Sequence, residues 1–243
     1  MSLILVYHSI STPPEPLPSE MDISPARFEQ QLRWLKRRRA VVPLVETLTA
    51  RRSKFRQVAI TFDDGFRDNL TVALPLLEQF ELPMTLFVTA GFLDHGDYLS
   101  EEELQEIARH PLVTIGAHGL WHRHFNRMTL DDARFELIES REILEQVIGR
   151  RVDLMAWPFG ECDAALERLS AECGYRAAWS VWKGTNGPYS RWRVPVGRRD
   201  NLARFIAKTS GVYELTEARR HRNQDQRERF WPKRKEEQTV LAS

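Results

Sequence analysis

The sequence predicts an α/β protein in which about seven parallel strands alternate with helices and close, or nearly close, into a barrel. A strand pattern at 57–62, a helix pattern at 70–80 and a strand pattern at 84–88 follow one another within about thirty residues, which is typical of a βαβ unit. The same alternation continues as far as residue 196. A doubly wound open sheet is the alternative arrangement of these elements.

The predicted strands are short runs of apolar, mostly β-branched or aromatic residues. The first, at 3–6, carries Tyr7 and His8 at its C-terminal end. The others lie, in chain order, at 57–62, 84–88, 113–116, 152–157, 177–179 and 192–196.

The predicted helices are recognised by their end signals. Ser24 and Pro25 begin the first, in which apolar residues recur at helical spacing to about residue 39. Ser100 caps a helix whose first turn is acidic, and Gly149 ends the longest helix. The helices are expected at 24–39, 70–80, 100–108, 129–148 and 163–173.

Composition divides the chain into one large domain and a tail. The 243 residues are 42% hydrophobic, which is enough to bury a sizeable core. Residues 1–210 carry the alternating pattern, whereas 217–237 are dominated by charged residues and glutamine. We therefore predict a domain at 1–210 and a charged tail at 211–243 that is helical or disordered.

The charge of the chain is balanced, with 35 Lys and Arg against 34 Asp and Glu. No net field favours nucleic acid or anionic lipid, and the basic run at 36–39 is interpreted as a solvated helix end that the helix dipole favours. We expect no nucleic-acid partner.

Two cysteines, Cys162 and Cys173, are too few for a disulfide scaffold or a thiolate zinc site, which predicts a reduced compartment. The apolar run at 3–6 is shorter than a signal-peptide core of about 7 to 15 residues, and no stretch approaches the roughly 18 apolar residues of a membrane helix. We expect a cytoplasmic protein, and a periplasmic or extracellular one only if a leader has been removed.

The segment Thr61-Phe62-Asp63-Asp64-Gly65 lies where a predicted strand ends, the place where barrel sites collect functional groups. Neighbouring strand residues point to opposite faces, so Asp63 and Asp64 take different roles unless the loop twists them together. A simple turn is the alternative interpretation of this segment.

His118 and His122 follow the predicted strand at 113–116 and would share one face if the segment turned helically. Two imidazoles and one carboxylate form a common open-sided site for zinc or another divalent ion. His124 is close enough to compete as a ligand. The two strand-end clusters together favour a metal site.

TFDDG, the H-x-x-x-H segment and Trp157-Pro158-Phe159-Gly160 resemble the polysaccharide deacetylase family, also called carbohydrate esterase family 4, over residues 1–208. The resemblance implies a distorted (β/α) barrel that binds Zn²⁺, or a similar ion such as Co²⁺, Ni²⁺ or Mn²⁺, and removes acetyl groups from N-acetylated sugars. It also implies a general base, three metal ligands and a substrate-binding segment with an oxyanion-binding backbone N–H at Phe159. By this resemblance Asp63 is the general base, and Asp64, His118 and His122 are the metal ligands. The substrate-binding segment is Trp157, Pro158, Phe159 and Gly160.

The proton donor is a departure from the family, most of whose members supply a histidine late in the domain. Here His221 lies in the charged tail, whereas His8 ends the first predicted strand on the same rim as Asp63. The start Tyr7-His8-Ser9-Ile10 resembles a subgroup in which the motif order is circularly permuted. We assign His8 as the general acid, the alternative being a histidine that only supports its loop.

Other departures concern the surroundings of the site. Gly119 replaces a hydroxyl residue that would help to orient the histidine loop, and Ala156 stands where many members place an arginine that pairs with the base. The segments 184–186 and 193–195 are interpreted as structural. An aromatic wall for a sugar ring is a further hypothesis, with burial in the core as its alternative; its members would be Trp157, Phe159, Trp179 and Trp182.

The function expected from the sequence is metal-dependent removal of acetyl groups from N-acetylhexosamine units of a polysaccharide or its precursor, with a carbohydrate as the partner. Two alternatives stay open. One is an amide hydrolase acting on a small non-sugar substrate, and the other is a non-catalytic carbohydrate-binding protein on the same fold.

Overall fold

A computed structural model describes residues 2–11, 20–49, 57–181 and 187–210. Within these ranges, nine strands form one sheet. They are β1 (Leu3–Tyr7), β2 (Ala40–Val41), β3 (Gln57–Phe62), β4 (Met84–Val88), β5 (Val113–Ala117), β6 (Leu154–Ala156), β7 (Ala177–Ser180), β8 (Arg191–Trp192) and β9 (Val194–Pro195). The tail 211–243, with His221, and Trp182 and the segment 184–186 lie outside the described residues.

Seven α-helices accompany this sheet in the described part of the chain. They are α1 (Pro25–Arg38), α2 (Glu46–Thr49), α3 (Leu74–Gln79), α4 (Glu101–Ala108), α5 (Leu130–Ile148), α6 (Ala164–Glu172) and α7 (Leu202–Thr209). A π-helical turn at Asn69–Ala73 leads into α3. The predicted caps are confirmed: Ser100 forms a capping box with Glu103, and Gly149 ends α5 in the left-handed conformation.

The sheet is parallel and nearly closed into a barrel. Its order is β8-β7-β6-β5-β4-β3-β1-β9, with β2 added beside β3. The two outermost strands, β8 and β9, are consecutive in the chain and are separated only by Arg193. Since β8 pairs with β7 and β9 pairs with β1, one short segment joins both edges of the sheet. The barrel prediction is confirmed, with seven strands around the ring if 191–195 counts as one, and the open-sheet alternative is wrong.

The two faces of the strands belong to different apolar clusters. Leu3, Leu5 and Tyr7 of β1 join the large cluster that the helices cover, whereas Ile4 joins a smaller one with Phe87 and Trp179 inside the barrel. Residues Leu44, Val45 and Leu48 around α2 pack against this interior cluster. Because α2 is a single turn of four residues, it has no periodic pattern from which it could be predicted.

Several predicted boundaries differ from the structure. The predicted strand at 152–157 is shortened to β6, and the one at 192–196 is interrupted at Arg193, whose side chain turns into the barrel. The short β2 and α2, and the eight-residue α7, were not predicted. No helix among the described residues has both the length and the apolar composition needed to cross a bilayer.

Candidate metal and catalytic site

The site lies at the carboxyl ends of the barrel strands. Asp63 and Asp64 directly follow β3, and His118 directly follows β5. The main chain fixes two of these positions: the Asp63 N–H donates to Tyr7 O at 3.0 Å, and the His118 N–H donates to Val88 O at 2.8 Å. Parallel strands therefore deliver these side chains to one rim, as the sequence predicts.

Backbone strain is concentrated at this rim. Five non-glycine residues in the described part of the chain have a positive φ, and three of them are Asp64 (74°), His122 (49°) and Phe159 (57°). Such residues persist only where the surrounding structure holds them, and they are typical of functional sites. The left-handed turn at Asp64 brings its carboxylate to the same side as Asp63, so the loop twists the two together.

Asp64, His118 and His122 form a cluster that fits a divalent ion. Asp64 Oδ1 lies 3.5 Å from Nε2 of His118 and 3.4 Å from Nε2 of His122. Two ligands about 2.1 Å from a tetrahedral ion lie about 3.4 Å apart, which is the spacing seen here. The buried Asp64 Oδ1 has no hydrogen-bond partner among the described residues.

The protonation of these groups also suits a cation. His118 Nδ1 lies 2.8 Å from Ala156 O, and because a carbonyl can only accept, Nδ1 carries the proton and Nε2 is left with its lone pair toward Asp64. Burial lowers the pKa of His118 to about 3 and also lowers that of His122, so both rings are neutral at pH 7. Burial and the neighbouring Asp63 raise the pKa of Asp64 to about 7. A cation would relieve the cost of ionising that carboxyl group.

The histidine loop is not helical, so it is the course of the loop, and not a shared helix face, that brings His118 and His122 together. Residues 118–124 precede a short 3-10 turn, and the loop reverses through Gly119 at φ +76°. A Cβ at Gly119 would lie 3.2 Å from Phe125 and 3.3 Å from Pro158. Glycine therefore suits this position better than the hydroxyl residue of the family motif.

Asp63 is held by a buried arginine that the sequence analysis interpreted as structural. Arg193 donates from Nη1 to Oδ1 at 2.6 Å and from Nη2 to Oδ2 at 2.7 Å, and Nη1 also donates to Thr61 Oγ1 at 3.2 Å. Burial opposes ionisation of Asp63, but Arg193, together with His118 and His8, outweighs it and lowers the pKa to about 2. The structural interpretation of Arg193 is wrong: it supplies the pairing that Ala156 lacks.

The sequence around Arg193 could have indicated that this residue forms a buried ion pair. It lies in the predicted strand at 192–196 between apolar residues, and a charged side chain on a buried strand requires a partner of opposite charge.

His8 lies close enough to Asp63 and His122 for their charges to act on its pKa. Burial lowers that pKa to about 4, so the ring is neutral at pH 7 and must receive a proton before it can act as an acid. Its buried Nδ1 has no hydrogen-bond partner among the described residues. The structure thus brings His8 to the site, and its role stays a prediction.

The 157–160 segment divides into buried and exposed parts. Trp157 is fully buried, with its Nε1 donating to Tyr189 O at 2.8 Å, and Trp179 is fully buried inside the barrel. Neither can offer a ring face to a sugar, so the aromatic-wall prediction is wrong for both; they are core residues. Phe159 is 42% exposed, and its ring contacts His122 with centroids 4.6 Å apart.

Gly160 shapes the turn that presents Phe159. It has φ +70°, and a Cβ there would lie 2.2 Å from Val181 Cγ2. Only glycine combines that conformation with that approach. Pro158, which precedes Phe159, is buried. Pro158 and Gly160 therefore support Phe159, which is the member of the segment placed at the site.

The structure is a parallel α/β barrel that carries, at its strand ends, a two-histidine, one-aspartate cluster able to hold a divalent ion and a carboxylate paired with an arginine. The chain belongs to the polysaccharide deacetylase family, whose sequence profile, described as "Polysaccharide deacetylase", matches residues 50–178.

Individual relatives agree with this membership. The chain is 31% identical over 215 residues to the poly-beta-1,6-N-acetyl-D-glucosamine N-deacetylase of Staphylococcus aureus strain COL, covering 80% of this chain and 74% of that protein. It is 23% identical to the protein of the same name from Escherichia coli K12, but spans only 31% of its length and 68% of this chain. The Streptococcus pyogenes deacetylase PplD, solved in complex with acetate, has the same fold, with a TM-score of 0.76 at 20% identity over 84% of this chain and 96% of that chain.

Proposed function

We propose that this protein hydrolyses the acetamido group of N-acetylglucosamine units in a polysaccharide or its precursor, and that the reaction depends on a divalent ion held by Asp64, His118 and His122. One observation carries the proposal: a cluster with the ligand spacing of a metal site adjoins a buried, ionised carboxylate, with Asp63 Oδ2 3.8 Å from His118 Nε2. Family membership and the names of the relatives support the substrate class.

A divalent ion, with Zn²⁺ as the first candidate, would supply a Lewis acid that acidifies water and polarises the acetyl carbonyl. Asp63 accepts a proton from the attacking water, whose oxygen forms a bond to the acetyl carbon. Arg193 keeps this carboxylate ionised and fixes both of its oxygens, so that it is ready to accept the proton at neutral pH. The products are acetate and a free amine.

The C–N bond then breaks, and its electron pair stays on the nitrogen, which takes a proton from His8. Because the ordinary state of His8 is neutral, its proton must arrive during the reaction, and the proton that leaves the attacking water is a source close by. The backbone N–H of Phe159 is the proposed donor to the oxyanion, by its place in the P-F-G segment. The side chain of Phe159 is the proposed contact for the sugar ring.

A substrate panel tests the proposed class. Mass spectrometry quantifies acetate from β-1,6- and β-1,4-linked N-acetylglucosamine oligomers and from the monosaccharide, formate from a small formamide, and the ring-opened acid from a cyclic imide. Each reaction is run with and without chelator. We expect kcat/KM for an oligomer to exceed that of any non-sugar amide by at least about tenfold, because binding of neighbouring sugar units contributes to the transition state.

Two outcomes would contradict this proposal. Turnover confined to the formamide or the imide would assign a small-molecule amide hydrolase. Oligosaccharide binding without acetate release, at any metal supplied, would assign a carbohydrate-binding protein.

A further inference from the structure

The loop that carries both histidine ligands is neither helix nor strand, so its main-chain N–H and C=O groups must find hydrogen-bond partners elsewhere. Its carbonyls face a neighbouring loop: Ala90 N–H donates to Gly119 O at 3.1 Å, and Gly91 N–H donates to Leu120 O at 2.8 Å. The approach is close, since a Cβ at Gly91 would lie 2.6 Å from Leu120 O. Main-chain hydrogen bonds thereby fix one side of the histidine loop.

The other side is fixed by one buried carboxylate. Glu136 Oε2 accepts from the N–H of Leu120 at 2.9 Å and from the N–H of Trp121 at 3.0 Å. These two N–H groups lie between the ligands His118 and His122 in the chain. A single oxygen thus bridges the middle of the metal-binding loop.

Glu136 is an unusual residue for its position in the helix. It lies on the buried face of α5 with Ala133, Leu137 and Ser140, and it is only 2% exposed. A buried carboxylate is costly unless it is paired or well hydrogen-bonded. Among the described residues its charged neighbour is Arg123, whose Nε lies 3.8 Å from Oε1. The two loop N–H groups are therefore its principal partners.

We propose that Glu136 is the positioning residue of the metal-binding loop, holding His118 and His122 at the spacing that one ion requires. It provides from α5 the orientation that a hydroxyl at position 119 would give, and so accounts for a loop that functions with Gly119. The inference rests on the metal site of the proposed function. It does not place Glu136 in contact with substrate or with the reacting atoms.

The test compares three changes at this position with a matched control. Glu136→Ala removes the acceptor, Glu136→Asp withdraws it by one methylene, and Glu136→Gln keeps an oxygen that can accept both N–H groups. Glu142→Ala is the control, since Glu142 lies on the exposed face of the same helix. Each variant is first checked for a cooperative thermal transition.

Two readouts separate positioning from a general structural role. Hydrogen exchange of the Leu120 and Trp121 amides is followed in metal-free protein, and Zn²⁺ affinity is measured by competition with a chelating dye. We expect Glu136→Ala and Glu136→Asp to exchange faster at these amides and to bind Zn²⁺ about 10- to 100-fold more weakly, as for loss of other outer-sphere partners. Glu136→Gln and Glu142→Ala are expected to resemble wild type in both readouts.

Two results would overturn the inference. One is a folded Glu136→Asp or Glu136→Ala variant with wild-type exchange at both amides and Zn²⁺ affinity within twofold of wild type. The other is a Glu136→Gln variant as impaired as Glu136→Ala. Failure of the proposed function is distinguished from both, because it would show as a wild-type protein that binds no divalent ion, while amide exchange would still report on Glu136.

Discussion

Asp63→Asn leaves the buried Arg193 without a charged partner, so it is expected to be less stable than wild type. The folded variant is expected to bind a divalent ion as wild type does and to release acetate about 10²- to 10⁴-fold more slowly, the usual contribution of a general base. An asparagine side chain cannot accept the proton of the attacking water. The three ligand residues are unchanged, and Asp63 is not among them. Acetate release and bound metal are measured on the same preparation.

His8→Asn is the matched comparison, and two substrates separate the two roles. An N-acetylglucosamine oligomer has an amine leaving group that needs a proton, whereas an aryl acetate has a phenolate leaving group that does not. Asp63→Asn should lose both activities, and His8→Asn only the first. Wild-type rates for Asp63→Asn would exclude it as the base, and wild-type amide hydrolysis by His8→Asn would assign the proton donor elsewhere.

Arg193→Met is expected to lower the free energy of unfolding by about 3–5 kcal/mol, the cost of leaving one partner of a buried ion pair uncompensated. Arg193 is fully buried and makes two charge-assisted hydrogen bonds to Asp63. Methionine replaces the aliphatic part of the arginine side chain and carries no charge. Acetate release should fall as well, because burial raises the pKa of Asp63 and the guanidinium would no longer lower it.

The stability loss should depend on pH. In wild type the pKa of Asp63 is held near 2, below its ordinary 3.8, so the pair stabilises the protein at neutral pH and this contribution is lost as the pH falls toward 2. In the variant the pKa lies above its ordinary value, and stability is lost as the pH rises through it. Urea unfolding should therefore show a gap between the two proteins that widens from pH 4 to pH 7.

The double variant Arg193→Met with Asp63→Asn separates stability from catalysis. It buries no uncompensated charge, so we expect it to be more stable than Arg193→Met alone and to be as inactive as Asp63→Asn. A double variant no more stable than Arg193→Met would show that the loss arises from packing around Arg193.

The barrel could be predicted because each of its strands and helices is indicated by a short stretch of sequence. The predicted strands at 57–62 and 84–88 agree with β3 and β4 residue for residue, since each is a buried run bounded by turn residues. The place of the candidate site was also accessible, because parallel strands bring their carboxyl ends to one rim, and Asp64 and His118 lie just beyond two such ends. The choice of Asp64 over Asp63 as a ligand came from the family resemblance. These inferences required no knowledge of long-range side-chain contacts.

The supporting contacts could not be predicted in this way. Arg193 lies 130 residues from Asp63, and Glu136 contacts a loop about fifteen residues before it through one side chain. Neither pairing follows from periodicity. Periodicity indicates which face of a helix or strand is buried, but it does not identify the polar side chain or N–H group that this face contacts. Trp157 and Trp179 show the same limit, since an aromatic residue at a strand end is compatible with either a core or a binding site.

Metal titration of the chelator-treated protein tests the central claim most directly. Zn²⁺ is added stepwise while bound ion and the initial rate of acetate release from an N-acetylglucosamine oligomer are measured together, for wild type and for Asp64→Ala. We expect the rate to rise in proportion to bound ion and to stop rising at one ion per chain. We expect Asp64→Ala neither to bind the ion at this site nor to release acetate. Full acetate release by protein that contains no divalent ion, or wild-type turnover by Asp64→Ala, would contradict it.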